Sequence, residues 1–252
     1  MIYWALKYTV GSTVKLIYRP EVTGRENLPE NGAALLVGNH PSFSDSVFLS
    51  AVMRRKVVYI AKLEYFTGTG LKGRLRRMVI GGMGNIPVDR AGGRKAASTL
   101  GTAQDVLEQG GLVCMYPEGT RPPDNRLYRG KTGAARIALA TGVPVIPIAM
   151  LNTYEIQPPG KLIPKVMKAR MAVGTPIDLA PFRDLPPGVA SRALTDEIMR
   201  RLQALSGQDY VHMYAQAARQ QFESGVRPPT CPHGPPGPGS GIATPTGDAT
   251  VS

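Results

Sequence analysis

The chain alternates short apolar runs with longer segments in which apolar residues recur every three or four positions. Most of the short runs are almost continuously apolar, as expected of strands that are buried on both faces. They occupy residues 19–23, 33–37, 57–61, 84–90, 112–116 and 143–151. The helical pattern occupies residues 47–53, 93–109, 131–141, 191–205 and 208–221. This order predicts an α/β fold with a mixed, largely parallel central sheet, helices on both faces and an edge strand over residues 168–173.

Residues 1–18 are apolar and aromatic but carry Lys7 and Lys15. On a helix, one side would collect Ile2, Leu6, Val10, Val14 and Ile17. Trp4 and Tyr8 would lie elsewhere, as aromatic groups at lipid headgroup level do. The segment is shorter than the ~20 apolar residues that a spanning helix needs. We therefore expect an N-terminal interfacial amphipathic helix; the alternative is a helix packed on the protein's own core.

The composition limits the number of domains and the kind of partner. The 252 residues suffice for one sizeable core, which we place in residues 19–222. Residues 223–252 are rich in Pro, Gly, Ser and Thr, which predicts a disordered tail. The net charge of +12 predicts an acidic partner, such as an anionic lipid surface, a phosphorylated substrate or nucleic acid. The two cysteines indicate neither a disulfide framework nor a metal site, which fits a reducing, cytosolic environment.

His40 and Asp45 lie at a predicted strand-to-helix turn, with four residues between them. A neutral imidazole, with an unperturbed pKa of roughly 6.5, can take a proton from an attacking hydroxyl near pH 7. A carboxylate bonded to the other ring nitrogen would orient the ring and stabilise the imidazolium. We therefore predict that His40 is a general base positioned by Asp45. The alternative is a solvated histidine beside an aspartate at a helix N-terminus.

A second polar loop, residues 117–124, follows the predicted strand 112–116. Loops that follow sheet strands are where α/β folds place ligands. Gly130-Lys131-Thr132 matches the end of a phosphate-binding P-loop, but Asn125 stands where the first glycine is required. We therefore interpret Lys131 as the beginning of a helix and not as a site residue.

Four segments follow one another along the chain: Asn39–Asp45, Ile86–Arg90, Tyr116–Arg121 and Val143–Pro147. Together they resemble the four-block pattern of the glycerolipid acyltransferases, specifically the 1-acylglycerol-3-phosphate (lysophosphatidate) acyltransferase branch. The resemblance spans residues 20–210 and includes Lys62 in an Ala-Lys-Leu-Glu context. It implies transfer of a fatty acyl group from acyl-CoA or acyl-carrier protein to the 2-hydroxyl of 1-acylglycerol 3-phosphate, which gives phosphatidate.

The resemblance also implies roles for individual residues. His40 would deprotonate the acceptor hydroxyl while Asp45 orients it. The expected substrate-binding residues are Lys62, Arg90, Glu118, Gly119, Thr120 and Arg121. Arg90 and Arg121 are the first choices for the acceptor phosphate because guanidinium groups match phosphate geometrically, and Lys62 is the next. Glu118 would shape its loop or bind an acceptor hydroxyl. Arg90 has an alternative role as the partner of Asp89 in a surface ion pair.

We expect no metal and no cofactor, with the acyl donor as co-substrate. The expected location is the cytoplasmic face of the cell membrane, as a monotopic or peripheral enzyme of phospholipid biosynthesis without a nucleic-acid partner. Two alternatives stay open. One is an acyltransferase acting on glycerol 3-phosphate or another lysolipid. The other is a basic nucleic-acid-binding module, which explains the charge but not the ordered polar loops; the basic cluster 72–77 also lacks the aromatic residues that would favour it.

Overall fold

A computed structural model of the chain has a central sheet with helices on both faces. It describes residues 2–62, 70, 85–88, 94–161, 163–232 and 234–236. The strands are β1 (Glu21–Thr23), β2 (Ala34–Gly38), β3 (Val57–Lys62), β4 (Asn85–Val88), β5 (Leu112–Met115), β6 (Leu127–Tyr128), β7 (Val145–Met150), β8 (Arg170–Val173) and β9 (Tyr210–Val211). The α-helices are α1 (Ile2–Tyr18), α2 (Asp45–Val52), α3 (Arg94–Glu108), α4 (Gly133–Thr141), α5 (Thr153–Ile156), α6 (Ala180–Arg183), α7 (Pro187–Ser206) and α8 (Ala215–Glu223). A short 3-10 helix covers Arg25–Asn27.

Within the described part of the chain, seven strands form the central sheet, in the order β1-β8-β7-β2-β5-β3-β4. Neighbouring strands pair in parallel except β7 and β8, which are antiparallel. The predicted mixed, largely parallel sheet is therefore confirmed. The predicted edge position of residues 168–173 is wrong, because β1 pairs along β8 and takes the edge itself. The order of strands depends on tertiary pairing, which a pattern along the chain does not record.

The two faces of the sheet bury separate apolar clusters. Because side chains alternate along a strand, neighbouring Leu35 and Leu36 enter different clusters. Leu36 packs with Phe48 of α2 on the face that α1 and α2 cover. Leu35 packs with Ile137 of α4 and Leu194 of α7 on the opposite face. The predicted burial of both sheet faces is thus observed.

Helix α1 packs one side on α2 and exposes the other. Val14 is buried, Gly11 lies beside Ala51, and the ring of Tyr18 meets Phe48 edge-on with centroids 5.0 Å apart. The outward-facing large side chains are Trp4, Tyr8, Val10, Leu16 and Ile17. Val14 and Val10, predicted on one apolar side, are therefore divided between the core and the surface. None of the described helices combines the length and apolarity needed to cross a membrane.

The segment predicted as a helix over residues 208–221 is divided in two. Strand β9 pairs in parallel with β6, and α8 begins only at Ala215. His212, interpreted as part of that helix, follows β9 instead. The β-forming pair Tyr210 and Val211 takes the extended form because β6 offers it a partner, which is a tertiary effect.

Part of the segment predicted as a disordered tail is hydrogen-bonded to the domain. The backbone N–H of Cys231 donates to the carbonyl of Tyr210 at 2.7 Å, and the Arg126 guanidinium donates to the carbonyl of Pro228 at 2.6 Å. Residues near Pro228 and Cys231 thus contact the domain, while the predicted disorder of the tail stays a prediction. Residues 237–252 and the basic cluster 72–77 lie outside the described residues.

Candidate active site

His40 and Asp45 form a hydrogen-bonded pair at the carboxyl end of β2. The distance from His40 Nδ1 to Asp45 Oδ2 is 2.9 Å; the aspartate side chain is 0% exposed and the histidine side chain 20%. The backbone N–H of Ser42 donates to the same Oδ2 at 2.8 Å. Because an ionised carboxylate only accepts hydrogen bonds, a neutral imidazole beside it carries its proton on Nδ1 and keeps a lone pair on Nε2. The geometry therefore gives the ring the form that a general base requires.

The turn that carries His40 is held by β7 and by the loop after it. The Asn39 side chain accepts from the N–H of Met150 at 2.7 Å and donates to the Met150 carbonyl at 3.0 Å. Ser42 Oγ donates to the Gln157 carbonyl at 2.9 Å, and Ser44 bonds the Gln157 side chain. The sequence contains no local signal for Gln157, which lies more than a hundred residues away along the chain.

The imidazole of His40 also lies flat against Tyr116. The ring centroids are 3.9 Å apart and the planes differ by 8°. The Tyr116 hydroxyl and Ser46 Oγ are 2.9 Å apart, so the phenol is fixed to α2. Burial raises the pKa of Tyr116 well above its usual value, which keeps the phenol neutral. The ring is thus held on one face by Tyr116 and at Nδ1 by Asp45.

Glu118 joins the loop after β5 to the His40 turn. Its side chain is buried, Oε2 accepts from the N–H of Tyr128 at 3.0 Å, and Oε1 accepts from the N–H of His40 at 3.4 Å. Burial raises the pKa of Glu118 to about 8, and the two N–H donors only partly offset this effect. These contacts agree with the expected loop-shaping role, since the carboxylate is occupied by backbone groups from two loops.

Gly119 has a left-handed φ of 73°, and the side chain of Lys131 crosses directly over it. A Cβ at this position would lie 3.2 Å from Cδ and Cε of Lys131 and 3.4 Å from Nζ. Across the residues that the structure describes, no carboxylate forms an ion pair with Lys131. The Lys131 ammonium is therefore a cation beside Gly119 of the candidate site, and the sequence had not predicted it as a site residue. Its signal was the Gly130-Lys131-Thr132 match, which failed as a P-loop.

The remaining predicted site residues differ in how much the structure says about them. Arg121 faces the His40 turn, since its guanidinium carbon is 6.0 Å from the ring centroid of Phe43. Thr120 is half-buried in the same loop. Lys62 is the last residue of β3, at the same sheet edge as His40, and the structure describes its backbone only. Arg90 lies outside the described residues altogether.

These observations define a class: an α/β protein with a His–Asp pair and cationic side chains at the carboxyl edge of its sheet. The acyltransferase family model matches residues 19–151, so the chain belongs to the acyltransferase family. A chloroplastic 1-acyl-sn-glycerol-3-phosphate acyltransferase of Brassica napus is 33% identical over 144 residues, which cover 57% of this chain and 40% of that protein.

A 1-acyl-sn-glycerol-3-phosphate acyltransferase of Bacillus subtilis is 27% identical over 186 residues, covering 73% of this chain and 87% of that protein. The matched segment thus spans about two fifths of the plant relatives and most of the bacterial one. The crystal structure of the 1-acyl-sn-glycerophosphate acyltransferase from Thermotoga maritima superimposes with a TM-score of 0.59 at 23% identity, over 79% of this chain and 77% of that one. This similarity confirms the α/β fold.

Proposed function

We propose that this protein transfers a fatty acyl group from a thioester to the 2-hydroxyl of 1-acylglycerol 3-phosphate. The observation that carries the proposal is the 2.9 Å contact between His40 Nδ1 and the buried Asp45 carboxylate. The relatives from Brassica napus and Bacillus subtilis, both named as 1-acyl-sn-glycerol-3-phosphate acyltransferases, support the same acceptor.

In the proposed mechanism, Nε2 of His40 takes the proton of the acceptor hydroxyl as its oxygen attacks the thioester carbonyl. The tetrahedral intermediate then collapses, the carbon–sulfur bond breaks, and the imidazolium returns the proton to the departing thiolate. Asp45 stabilises the transient imidazolium and keeps Nδ1 protonated. The reaction balances with the acyl donor as its only co-substrate, without a further cofactor.

The acceptor phosphate has candidate partners on the loop after β5 and directly beside it. Arg121 faces the His40 turn across Phe43, and Lys131 lies over Gly119. A guanidinium can bind two phosphate oxygens at once, whereas an ammonium acts as a point charge. Arg90 and Lys62 join this set through the family resemblance, and Thr120 lies within the same loop.

A membrane location is supported by the outer face of α1. Trp4, Tyr8 and Leu16 are exposed there, and the chain has a net charge of +12. Such a face suits the interface of an anionic bilayer, from which a lipid acceptor can be drawn. We therefore propose peripheral or monotopic binding to the cytoplasmic leaflet.

The test is acyl transfer by purified full-length protein with each acceptor paired with each donor. The acceptors are 1-acylglycerol 3-phosphate, glycerol 3-phosphate and a lysolipid without a free phosphate; the donors are acyl-CoA and acyl-carrier protein. Phosphatidate formed at the highest kcat/KM is the expected result. Transfer only to another acceptor would contradict the proposed acceptor. Absence of transfer together with salt-sensitive retention of DNA would favour the nucleic-acid-binding alternative.

A further inference from the structure

We infer that residues 161 and 163–168, here called the apolar loop, form a second lipid-contact surface that binds anionic bilayers together with α1. The inference deepens the proposed function and rests on it for the identity of the lipid substrate. It assigns a role to a segment between β7 and β8 for which the sequence pattern indicated no function.

Large apolar side chains of the apolar loop are turned away from the domain. Ile163 is 85% exposed, Val166 72% and Met167 40%. Single exposed apolar residues are common, but several in one short segment mark an interaction site. The loop is nevertheless held in position, since the Lys165 N–H donates to the Ile156 carbonyl at 2.8 Å and the Gln157 side chain donates to the Lys161 carbonyl at 3.1 Å.

Lysines are interleaved with these apolar side chains. Lys161, Lys165 and Lys168 are all exposed, and Lys168 pairs with Glu21. Within the described ranges, no carboxylate pairs with the ammonium groups of Lys161 and Lys165. Apolar groups that enter the acyl region, flanked by lysines at headgroup level, are the combination that anionic bilayers bind.

The topology places this loop at the edge of the sheet that holds the candidate site. β7 runs parallel to β2, so the chain leaves both strands at the same edge. Gln157, just before the loop, bonds Ser42 and Ser44 of the His40 turn. Just after the loop, the Ala169 N–H donates to the carbonyl of Tyr18 at the end of α1, at 3.0 Å.

The loop therefore extends the exposed face of α1. Leu16 and Ile17, in the last turn of that helix, are both exposed. A bilayer that contacts these residues and Ile163 would lie beside the His40 turn, where a lipid acceptor could reach the imidazole without leaving the interface. An acidic carrier protein is the competing occupant and could pair with the lysines, but a bilayer would also take the three outward apolar side chains into its acyl region.

The experiment is sedimentation of the intact protein with phosphatidylcholine vesicles that contain phosphatidylglycerol, without an acyl donor. The double variant Ile163→Asp/Val166→Asp is compared with Val189→Asp. Val189 is also an exposed valine, but it lies on α7, across the sheet from α1. We expect the double variant to bind about tenfold more weakly than wild type and Val189→Asp to bind normally. The second variant, Lys161→Glu/Lys165→Glu, should bind more weakly and with less dependence on salt.

The inference would be overturned if the double variant bound vesicles as tightly as wild type. It would also be overturned if the double variant and Val189→Asp lost vesicle binding equally. If the Ile163→Asp/Val166→Asp variant binds vesicles normally but no longer binds acidic carrier protein, the loop belongs to the carrier-protein interface. This result would also overturn the inference. The assay contains no turnover. A wild-type protein that binds vesicles through the loop but transfers no acyl group would therefore contradict the proposed function alone.

Discussion

Strands β2 and β5 end side by side at one edge of the sheet, and each is followed by a segment with a buried carboxylate. The two carboxylates have different hydrogen-bond donors. Asp45 accepts from a ring nitrogen of His40 and from the N–H of Ser42. Glu118 accepts from two backbone N–H groups, one of them from His40 itself. One carboxylate thus meets a side chain that can exchange a proton, and the other meets only the main chain.

This difference shows that position in the fold does not assign a carboxylate its role. Parallel neighbours bring both groups to the site, since β2 and β5 are adjacent. The hydrogen-bond partners then determine what each carboxylate can do. Asp45 can set the tautomer of His40, the proposed base, whereas Glu118, with its pKa raised to about 8 by burial, accepts hydrogen bonds from two loops. The predictions below test that division.

The largest effect is expected for His40→Ala. Loss of the general base should lower kcat for acyl transfer by about 10²–10⁴-fold, because the acceptor hydroxyl then keeps its proton as it attacks. The matched control is His212→Ala, which removes a histidine that follows β9. Steady-state kinetics of both variants provide the measurement. A His40→Ala variant that keeps the full rate rules out the mechanism.

Asp45→Asn should lower kcat by about 10²–10³-fold while the fold persists. The neutral amide cannot stabilise the imidazolium that forms when His40 takes the proton, even if its oxygen keeps the bonds that Asp45 Oδ2 accepts from His40 Nδ1 and from the Ser42 N–H. Asp105→Asn, at an exposed position on α3, serves as the control. Equal rates for the two variants would remove Asp45 from the mechanism.

Glu118→Gln should mainly change how stability depends on pH. The folded-state pKa of about 8 exceeds the ordinary value of 4.5. Wild type is therefore stabilised by the bound proton at low pH and loses that stabilisation as pH rises from about 5 to 8, by on the order of 1.4 kcal/mol per pH unit. The glutamine variant lacks this slope, so its deficit in unfolding free energy should be larger at about pH 6 than at about pH 9.

Urea unfolding of wild type, Glu118→Gln and Glu108→Gln across this pH range measures the difference. Glu108 is exposed near the end of α3, so its variant should follow the wild-type curve. Parallel curves for all three proteins would show that the Glu118 carboxylate is not held in the protonated form that its burial favours.

The smallest effect is expected for Lys131→Ala. Loss of one charge-assisted contact to the acceptor phosphate should raise KM for the acceptor about tenfold and leave kcat nearly unchanged. Arg136→Ala, at an exposed position on α4, is the control. An unchanged KM would exclude Lys131 from the acceptor site and leave Arg121 as the described cation that faces the His40 turn.

Local patterns were sufficient to predict the pairing of His40 with Asp45. His40 and Asp45 are five positions apart at a strand-to-helix turn, so their pairing needs no distant contact. The strand positions followed from continuous apolar runs, and the largely parallel sheet followed from their alternation with helices. The prediction for Glu118 followed from the polar loop and from the family resemblance.

What the sequence did not reveal depends on contacts between distant segments. Lys131 reaches Gly119 only after β6 has turned the chain back, and Gln157 supports a turn more than a hundred residues earlier. The same holds for β1, which takes the sheet edge from β8, and for residues 224–232, which bind β9 and Arg126. In each case the partner, and not the local pattern, determines the structure.

Nitrogen NMR of the His40 ring tests the pairing with Asp45 most directly. Protein labelled with ¹⁵N-histidine is measured at about pH 8, where an ordinary imidazole is neutral, and the His40 signals are assigned by their absence in His40→Ala. We predict that the proton resides on Nδ1 in wild type and in Glu118→Gln, and shifts to Nε2 in Asp45→Ala, which removes the acceptor. A proton on Nε2 in wild type, or an Nδ1 proton that persists as the major form in Asp45→Ala, would contradict the assigned role of the Asp45 carboxylate.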